Sequence, residues 1–361
     1  MNEFMKRMLK LFLSIPDMAK MGFLTSFFKT EEEDFTDTEF VELDIVRTDE
    51  DIAPVLRDIK TGAIAIKDDI YTNKQIKPPV YSLERSVNIY ELMKRQPGET
   101  EYAALGSWLG RLMLILKNSF SKMTNMIKRS IEIQAAQVLQ TGKLDLKDEN
   151  GKAAYELDYL PKATHFPTVT VSWSNPAAKP LDDLSALIDV IRDDGLVDVK
   201  TAIFGRSAWA NFIHNEDVKE MIKGDGLALG ALDPRIVNKG ARYMGYIDIG
   251  TCRVDLFTYN GRYKNFDDPV KKGFIGDNNV ILLPGVEDLD FRLVFGGIPS
   301  IGVNPPFDQI LPDRVSVSDA FDFRARVYSD VKNDTYTGEI KSRPICIPVS
   351  IDRFGCLKTA V

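Results

Sequence analysis

The residues of this 361-residue sequence that come nearest to a catalytic arrangement are a serine, a histidine and a few glycines. "GRSAW" (Gly205–Trp209) falls one residue short of the G-x-S-x-G nucleophile elbow. That motif needs a small fifth residue so that its strained turn can pack, and Trp209 fills the place. His214 is near in sequence but lies on the helix that follows. An α+β hydrolase using Ser207 and His214 is therefore one reading. The other makes Ser207 the N-cap of that helix, and the missing glycine favours it.

"GDGLALG" (Gly224–Gly230) is rich in glycine. It lacks the G-x-G-x-x-G spacing and the Lys-Ser/Thr of a phosphate-binding loop, so it reads as a flexible loop or an interface turn. Asp182–Asp183 and Asp193–Asp194 are adjacent carboxylates on one helix, and neighbours in sequence do not face a common point. The first pair complements a helix N-terminus; the second is a solvated helix end. Cys252, Cys346 and Cys356 show no C-x-x-C pairing, and His165 and His214 are the only histidines. That spacing argues against a zinc site and for reduced thiols in a cytoplasmic fold. No catalytic constellation and no cofactor or metal motif emerges, which points to a structural role.

The elements around these residues are better defined than any site. Leu105, Leu109, Leu112, Leu116, Phe120, Met123, Ile127, Ile131 and Val138 recur at steps of three and four, one apolar stripe on a long helix. Gly142 is placed to cap it, and Gly110 marks an expected break. Arg111, Lys122 and Arg129 share the opposite face, which is either solvated or turned toward a polyanion or a neighbour. A hairpin follows, with Leu144 and Leu146 on one strand, a turn at Asp148–Gly151, and Tyr155, Leu157 and Tyr159 on the return. "TVTVSW" (Thr168–Trp173) reads as a strand. Pro180 opens an amphipathic helix carrying Leu184, Leu187, Ile188 and Ile191, with Gly195 beyond its end. "VKTAIFGRSAWANFIHNEDVKEMI" gives a strand, a turn and helices. Short strands and Gly-rich turns then alternate to Phe295, and "RPICIPVSIDRFGCLKTAV" supplies terminal strands that rejoin an earlier sheet.

Length allows two or three compact domains, and 44% hydrophobic with 27% charged residues describes a globular chain. A net charge of −7 argues against a dedicated nucleic-acid reader, though not against one basic face. The apolar run of the first residues stops after Ile15, short for a signal peptide, and no stretch is long enough to span a bilayer. The beginning reads as an amphipathic arm needing a partner surface for Phe23, Leu24, Phe27 and Phe28. After Lys29 the chain turns acidic, and Phe35–Val46 alternates as a strand. The stretch to Gly98 has strand-like pieces at Gly62–Ile66 and Ile76–Tyr81, several prolines and little core-sized apolar character. It reads as an extended two-stranded arm that packs on something else.

This order of parts resembles the major capsid proteins of tailed phages with the Hong Kong 97-type fold, an α+β fold. More specifically it is similar to the lambda-like major capsid protein E family. "FTDTEFVELDIV", "IKPPVYS" and "KRQPGE" resemble that family's beginning, and "RSIEIQAAQVLQTGK" the end of its long helix. "WSNPAAKPLDDLSALIDVI", "IFGRSAWANFIHNEDVKEMI" and "FIGDNNVILLP" resemble later blocks. The resemblance implies an N-terminal arm at 1–49 and an extended E-loop at 50–98. It implies a peripheral domain with spine helix and hairpin at 99–188, and an axial domain at 189–330. Terminal strands at 331–361 would return to the peripheral domain. It further implies self-assembly as hexamers and pentamers into an icosahedral head, with a separate scaffolding protein, a portal protein, in some cases a decoration protein, and packaged double-stranded DNA held without specificity. No membrane is implied. The expected inter-subunit contacts are Phe23, Phe27, Phe28, Arg57, Lys60, Lys74, Lys77 and Tyr81. The face of Arg111, Lys122 and Arg129 would meet DNA or a neighbour. An encapsulin-like nanocompartment shell shares the fold and is the alternative.

Overall fold

A computed structural model describes residues 22–36, 38, 40–47, 70–93, 108–223, 230–238, 240–250, 252–265, 268–298, 323–330 and 334–361. From the N-terminus the strands β1 (Val41–Arg47), β2 (Ile70–Ile76) and β3 (Tyr81–Asn88) lead through the short helix α1 (Ile89–Met93) to α2 (Trp108–Thr141). The described part of α2 is 34 residues long, about 51 Å at 1.5 Å per residue. It runs unbroken through Gly110, where the sequence suggested a break. A helical glycine costs about 1 kcal/mol, whereas full burial of Leu112 and Leu116 just beyond it contributes about 2 kcal/mol each. Phe120, Met123, Ile127, Ile131 and Val138 are buried as the period requires. Gly142 takes the left-handed conformation, φ 63°, and its N–H closes on Val138 O at 2.8 Å.

The hairpin follows as β4 (Lys143–Lys147) and β5 (Ala153–Asp158). The "TVTVSW" alternation does not become a strand. Thr168 makes one isolated bridge to Lys358, and the chain then bends to bury Trp173. The Trp173 indole donates to Asp183 Oδ2 at 2.8 Å and its ring lies 5.9 Å from Phe212. Helix α3 (Pro180–Gly195) keeps Gly195 inside its last turn, and Leu196 rather than Gly195 ends it in the left-handed region. The glycine is required for approach: a Cβ there would meet Asp352 O at 2.5 Å.

Strand β6 (Val199–Phe204), helices α4 (Arg206–His214) and α5 (Glu216–Lys223), and strands β7 (Gly230–Asn238), β8 (Ala241–Ile249) and β9 (Cys252–Tyr259) come next. The small pair β10 (Arg262–Lys264) and β11 (Lys271–Gly273) precedes β12 (Asn279–Pro284), β13 (Phe291–Phe295), β14 (Arg324–Asp330), β15 (Thr335–Ser342), β16 (Pro344–Pro348) and β17 (Gly355–Lys358). One six-stranded sheet has the order β17-β12-β6-β9-β8-β7. Only its β6–β9 pair is parallel.

Strand β12 shows how this sheet separates two cores. Val280 and Leu282 point into a cluster with Leu184, Leu187 and Ile188 of α3 and Phe212 of α4. Ile281 and Leu283 point the other way, into the cluster that holds the α2 stripe. Strand period puts successive residues on opposite faces, so a strand buried on both reads as a continuous apolar run, "VILLP". The three-stranded sheet β14-β15-β3 and the pair β13–β16 pack around α2. The terminal residues thus divide: β15 pairs with β3, β16 with β13, and β17 with β12 in the large sheet.

Candidate assembly surfaces

The residues expected to chemically form a hydrolase do not meet. Ser207 and His214 lie on α4, separated by about 10 Å of helix rise. The N-cap of α4 is Gly205, not Ser207, whose N–H bonds Asp277 O at 2.9 Å. The His214 Nδ1 turns back to Ala210 O at 2.6 Å. Gly224–Leu229 of the glycine-rich loop lie outside the described residues. Among the described residues no group of three His, Cys, Asp or Glu could hold a metal, and no helix is long and apolar enough to cross a membrane.

Among the described residues, the arm from Phe23 to Phe35 is fixed to its own chain. Phe23 packs 5.7 Å from Phe257 and 5.5 Å from Tyr259, and Phe28 stacks on Phe291 at 5.2 Å. Phe23, Phe27 and Phe28 are all buried. The partner surface they need is the chain's own β9 and β13, which corrects the expectation that they serve a neighbour. A single carboxylate anchors this dock. Glu132, 2% exposed on α2, accepts hydrogen bonds from Leu24 N at 2.9 Å, Thr25 N at 3.0 Å, Thr25 Oγ1 at 2.5 Å and Tyr259 OH at 2.8 Å. Burial, with the adjacent carboxylate, pushes the Tyr259 hydroxyl far above its ordinary value, so it remains a donor. Beyond the dock, Lys29 and Phe35 bridge to Arg292 and Phe295.

A second junction roots the extended segment. Arg343 is 1% exposed and donates to Gly297 O at 2.5 Å and Pro78 O at 3.3 Å. It ties the link after β2 to the end of β13. Nearby, Gln134 of α2 donates to Tyr81 Oη at 2.8 Å and to Pro344 O at 3.1 Å. Burial pushes the Tyr81 hydroxyl up to about 12. The Tyr81 hydroxyl is thus engaged within the chain while its side chain stays half-buried. Sequence reasoning had no signal for Glu132, Gln134 or Arg343, whose partners lie 46 to 265 positions away.

From this root β1 and β2 leave as an antiparallel ribbon, Val41 opposite Ile76 and Arg47 opposite Ile70. The two strands pair with each other and, among the described residues, with no other strand. Val41 and Ile76 at the root are buried. Lys74 lies on β2, Lys77 is exposed just after it, and Arg57 and Lys60 lie outside the described residues. On α2 the expected cationic face divides. Arg111 is half-buried and donates to Leu92 O at 3.2 Å, tying α1 to α2. Lys122 and Arg129 are exposed, and Arg129 Nε donates to Asn125 O at 3.1 Å.

A polar lock joins α3 to the terminal strands. His165, fully buried, places Nδ1 2.8 Å from Phe354 O and Nε2 3.0 Å from Asp194 Oδ2. Lys162 Nζ stands 2.7 Å from Asp194 Oδ1 and 3.6 Å from Asp352 Oδ2. Burial pushes the Asp194 carboxyl up, but the hydrogen bonds from Lys162 and His165 outweigh it and leave it below its ordinary value.

Comparisons with known proteins identify the family to which this arrangement of elements belongs. The family described as phage major capsid protein E matches residues 8–354. No curated protein matches the chain. Among solved structures, one described as a prophage capsid protein from E. coli CFT073 is similar with a TM-score of 0.64 at 17% identity, over 99% of this chain and 98% of that one. A phage-related protein from Bordetella bronchiseptica RB50 gives 0.45 at 10% identity over 99% and 96%. An encapsulin complex from Synechococcus elongatus PCC 7942 gives 0.46 at 9% over 96% and 91%, a relationship of fold alone. With the Hong Kong 97-type α+β fold and a match over nearly its whole length, the chain belongs to the phage major capsid protein E family and is a major capsid protein of a tailed phage.

Proposed function

We propose that this subunit assembles as hexamers and pentamers into an icosahedral head that encloses double-stranded DNA. The division into arm (1–49), E-loop (50–98), peripheral domain (99–188), axial domain (189–330) and returning strands (331–361) belongs to this reading. A separate scaffolding protein guides assembly in the host cytoplasm, and a portal occupies one vertex. DNA is held by non-specific contact, for which the exposed Lys122 and Arg129 are suited. The protein carries no enzymatic activity.

The observation that carries the reading is the β1–β2 ribbon. An isolated two-stranded ribbon is at best marginal in water, and at the root of this one Val41 and Ile76 form a buried pair. Laid over a neighbouring subunit it gains an interface and new strand pairing. Contacts between unlike surfaces close into rings when the rotation allows. Expression of the full chain together with its scaffolding protein, followed by negative-stain microscopy, tests this. Closed shells are expected; a stable monomer under every assembly condition is the contrary result.

A further inference from the structure

Two surfaces of opposite charge carry groups with no ion pair among the described residues. The first is the hairpin β10–β11. Its register sets Arg262 opposite Gly273, Tyr263 opposite Lys272 and Lys264 opposite Lys271. Residues directly opposite share a face, so Arg262, Lys264 and Lys271 point one way. Tyr263 points the other, 5.2 Å from Phe274, and Lys272 on that side pairs with Asp268 at 3.0 Å. Like charges directly opposed destabilise a hairpin. Yet Lys264 and Lys271 are opposed, exposed, and without an ion pair among the described residues. Val270, just before them, is 62% exposed.

The second surface is a groove of about 720 Å³ between the arm, the ribbon root and the β13–β16 pair. Its floor is apolar, from Val41, Val294, Ile347 and Val349. Asp34 and Arg292 stand 3.7 Å apart within it and offset each other. Glu33 and Glu42 remain exposed on its rim, neither with an ion pair among the described residues. The rim carries negative charge over an apolar floor, and Phe40, 47% exposed, stands at its lip.

We propose that the β10–β11 hairpin of one copy docks on this groove of a second copy, with Lys264 and Lys271 against Glu33 and Glu42 and Val270 toward the apolar floor. A nucleic acid would relieve only the cationic hairpin and would be repelled by the groove; a second copy of this chain relieves both. The contact joins unlike surfaces, so every copy offers one of each and the contact can continue around a ring. This proposal rests on the shell-forming reading and names one of its interfaces.

The test compares the full chain as wild type, as Lys264→Glu with Lys271→Glu, as Glu33→Lys with Glu42→Lys, and with all four changes. Each is scored for melting temperature, shell yield by microscopy and sedimentation, and packaged DNA. All four positions are exposed, so melting should stay near wild type. Each double variant should lower shell yield about tenfold or more, because like charges then face each other, and the fourfold variant should restore it. Normal shells from the hairpin variant overturn the proposal, as does failure of the fourfold variant to restore assembly. Normal shells with reduced DNA overturn it too, and assign the hairpin to nucleic acid. A mixture of Lys264→Cys and Glu42→Cys chains supplies an independent reading. A disulfide-linked pair should form even if the wild type makes no shells, a result that would count against the capsid reading alone; no link under oxidation overturns the contact itself.

Discussion

Glu132 and Thr25 stand 107 positions apart and are joined by a 2.5 Å hydrogen bond. With Leu24 N, Thr25 N and Tyr259 OH, the Glu132 carboxylate accepts four neutral donors, so one side chain of α2 holds both the arm and β9. Glu132→Gln keeps the shape but turns an amide NH₂ toward groups that can only donate there or must reorient. The expected loss is about 1–3 kcal/mol, the cost of leaving buried polar groups unsatisfied. It should fall on the arm first, because three of the four bonds belong to it. Limited trypsin digestion reads this directly: Lys29 should be cut much faster in the variant. An arm as resistant as wild type would mean the phenylalanines hold it without the carboxylate.

Asp194 gives the fold a dependence on acid. Its folded value lies below the ordinary 3.8, so its stabilisation is present above that ordinary value and is lost as pH falls through the lower folded one. Protonation removes the charge that Lys162 and His165 both face. Asp194→Asn should lower stability at neutral pH by about 1–3 kcal/mol, as expected for hydrogen bonds to a charged group. It should also flatten the stability curve between about pH 2 and 5. Denaturant titrations of both proteins across that range decide it, and parallel curves would mean the lock is held by packing alone.

The three thiols are all buried. Burial pushes Cys356 up to about 12 and Cys346 well above its ordinary value, and burial with the nearby Asp198 raises Cys252. The thiolate is the reactive form, so none should react with a disulfide reagent at pH 8 in the folded protein. Labelling should instead follow local or global opening, and become independent of reagent concentration once labelling outpaces reclosing. Fast labelling of one thiol would show that its strand opens readily.

What the sequence made legible was local. The α2 stripe, the β4–β5 hairpin and α3 each carry a complete period within one element, so a window of ten to twenty residues suffices. The ribbon was half legible: Phe35–Val46 reads as a strand, but the two-stranded arm was expected from Gly62–Ile66, which lies outside the described residues, and Ile76–Tyr81, whereas the ribbon pairs Val41–Arg47 with Ile70–Ile76. The alternation of Thr168–Trp173 misled because Trp173 must reach Asp183 and Phe212, which bends the chain away from a sheet. Phe23 and Phe28 looked like contacts for another subunit because their own partners, Phe257 and Phe291, are more than 200 positions away. Arg343 and Glu132 gave no signal, since a buried charge and a surface charge are spelled alike. The family resemblance covered the order of parts and not these anchors.

The ribbon can be shortened without touching its root. Asp44 and Asn73 are directly opposite in the β1–β2 register, so residues 45–72 can be replaced by Asn-Gly, the pair preferred for a two-residue hairpin turn. Val41 and Ile76, the buried pair, stay in place, as do Arg343 and its bonds to Gly297 and Pro78. With this root kept in place, stability should stay within about 1 kcal/mol of wild type. Assembly should fail, because the removed segment is what the proposed reading lays across a neighbour. Thermal melting and microscopy of the same preparation separate the two effects. Normal melting without shells supports the ribbon as an assembly arm, while normal shells from the shortened chain would remove it from the assembly mechanism.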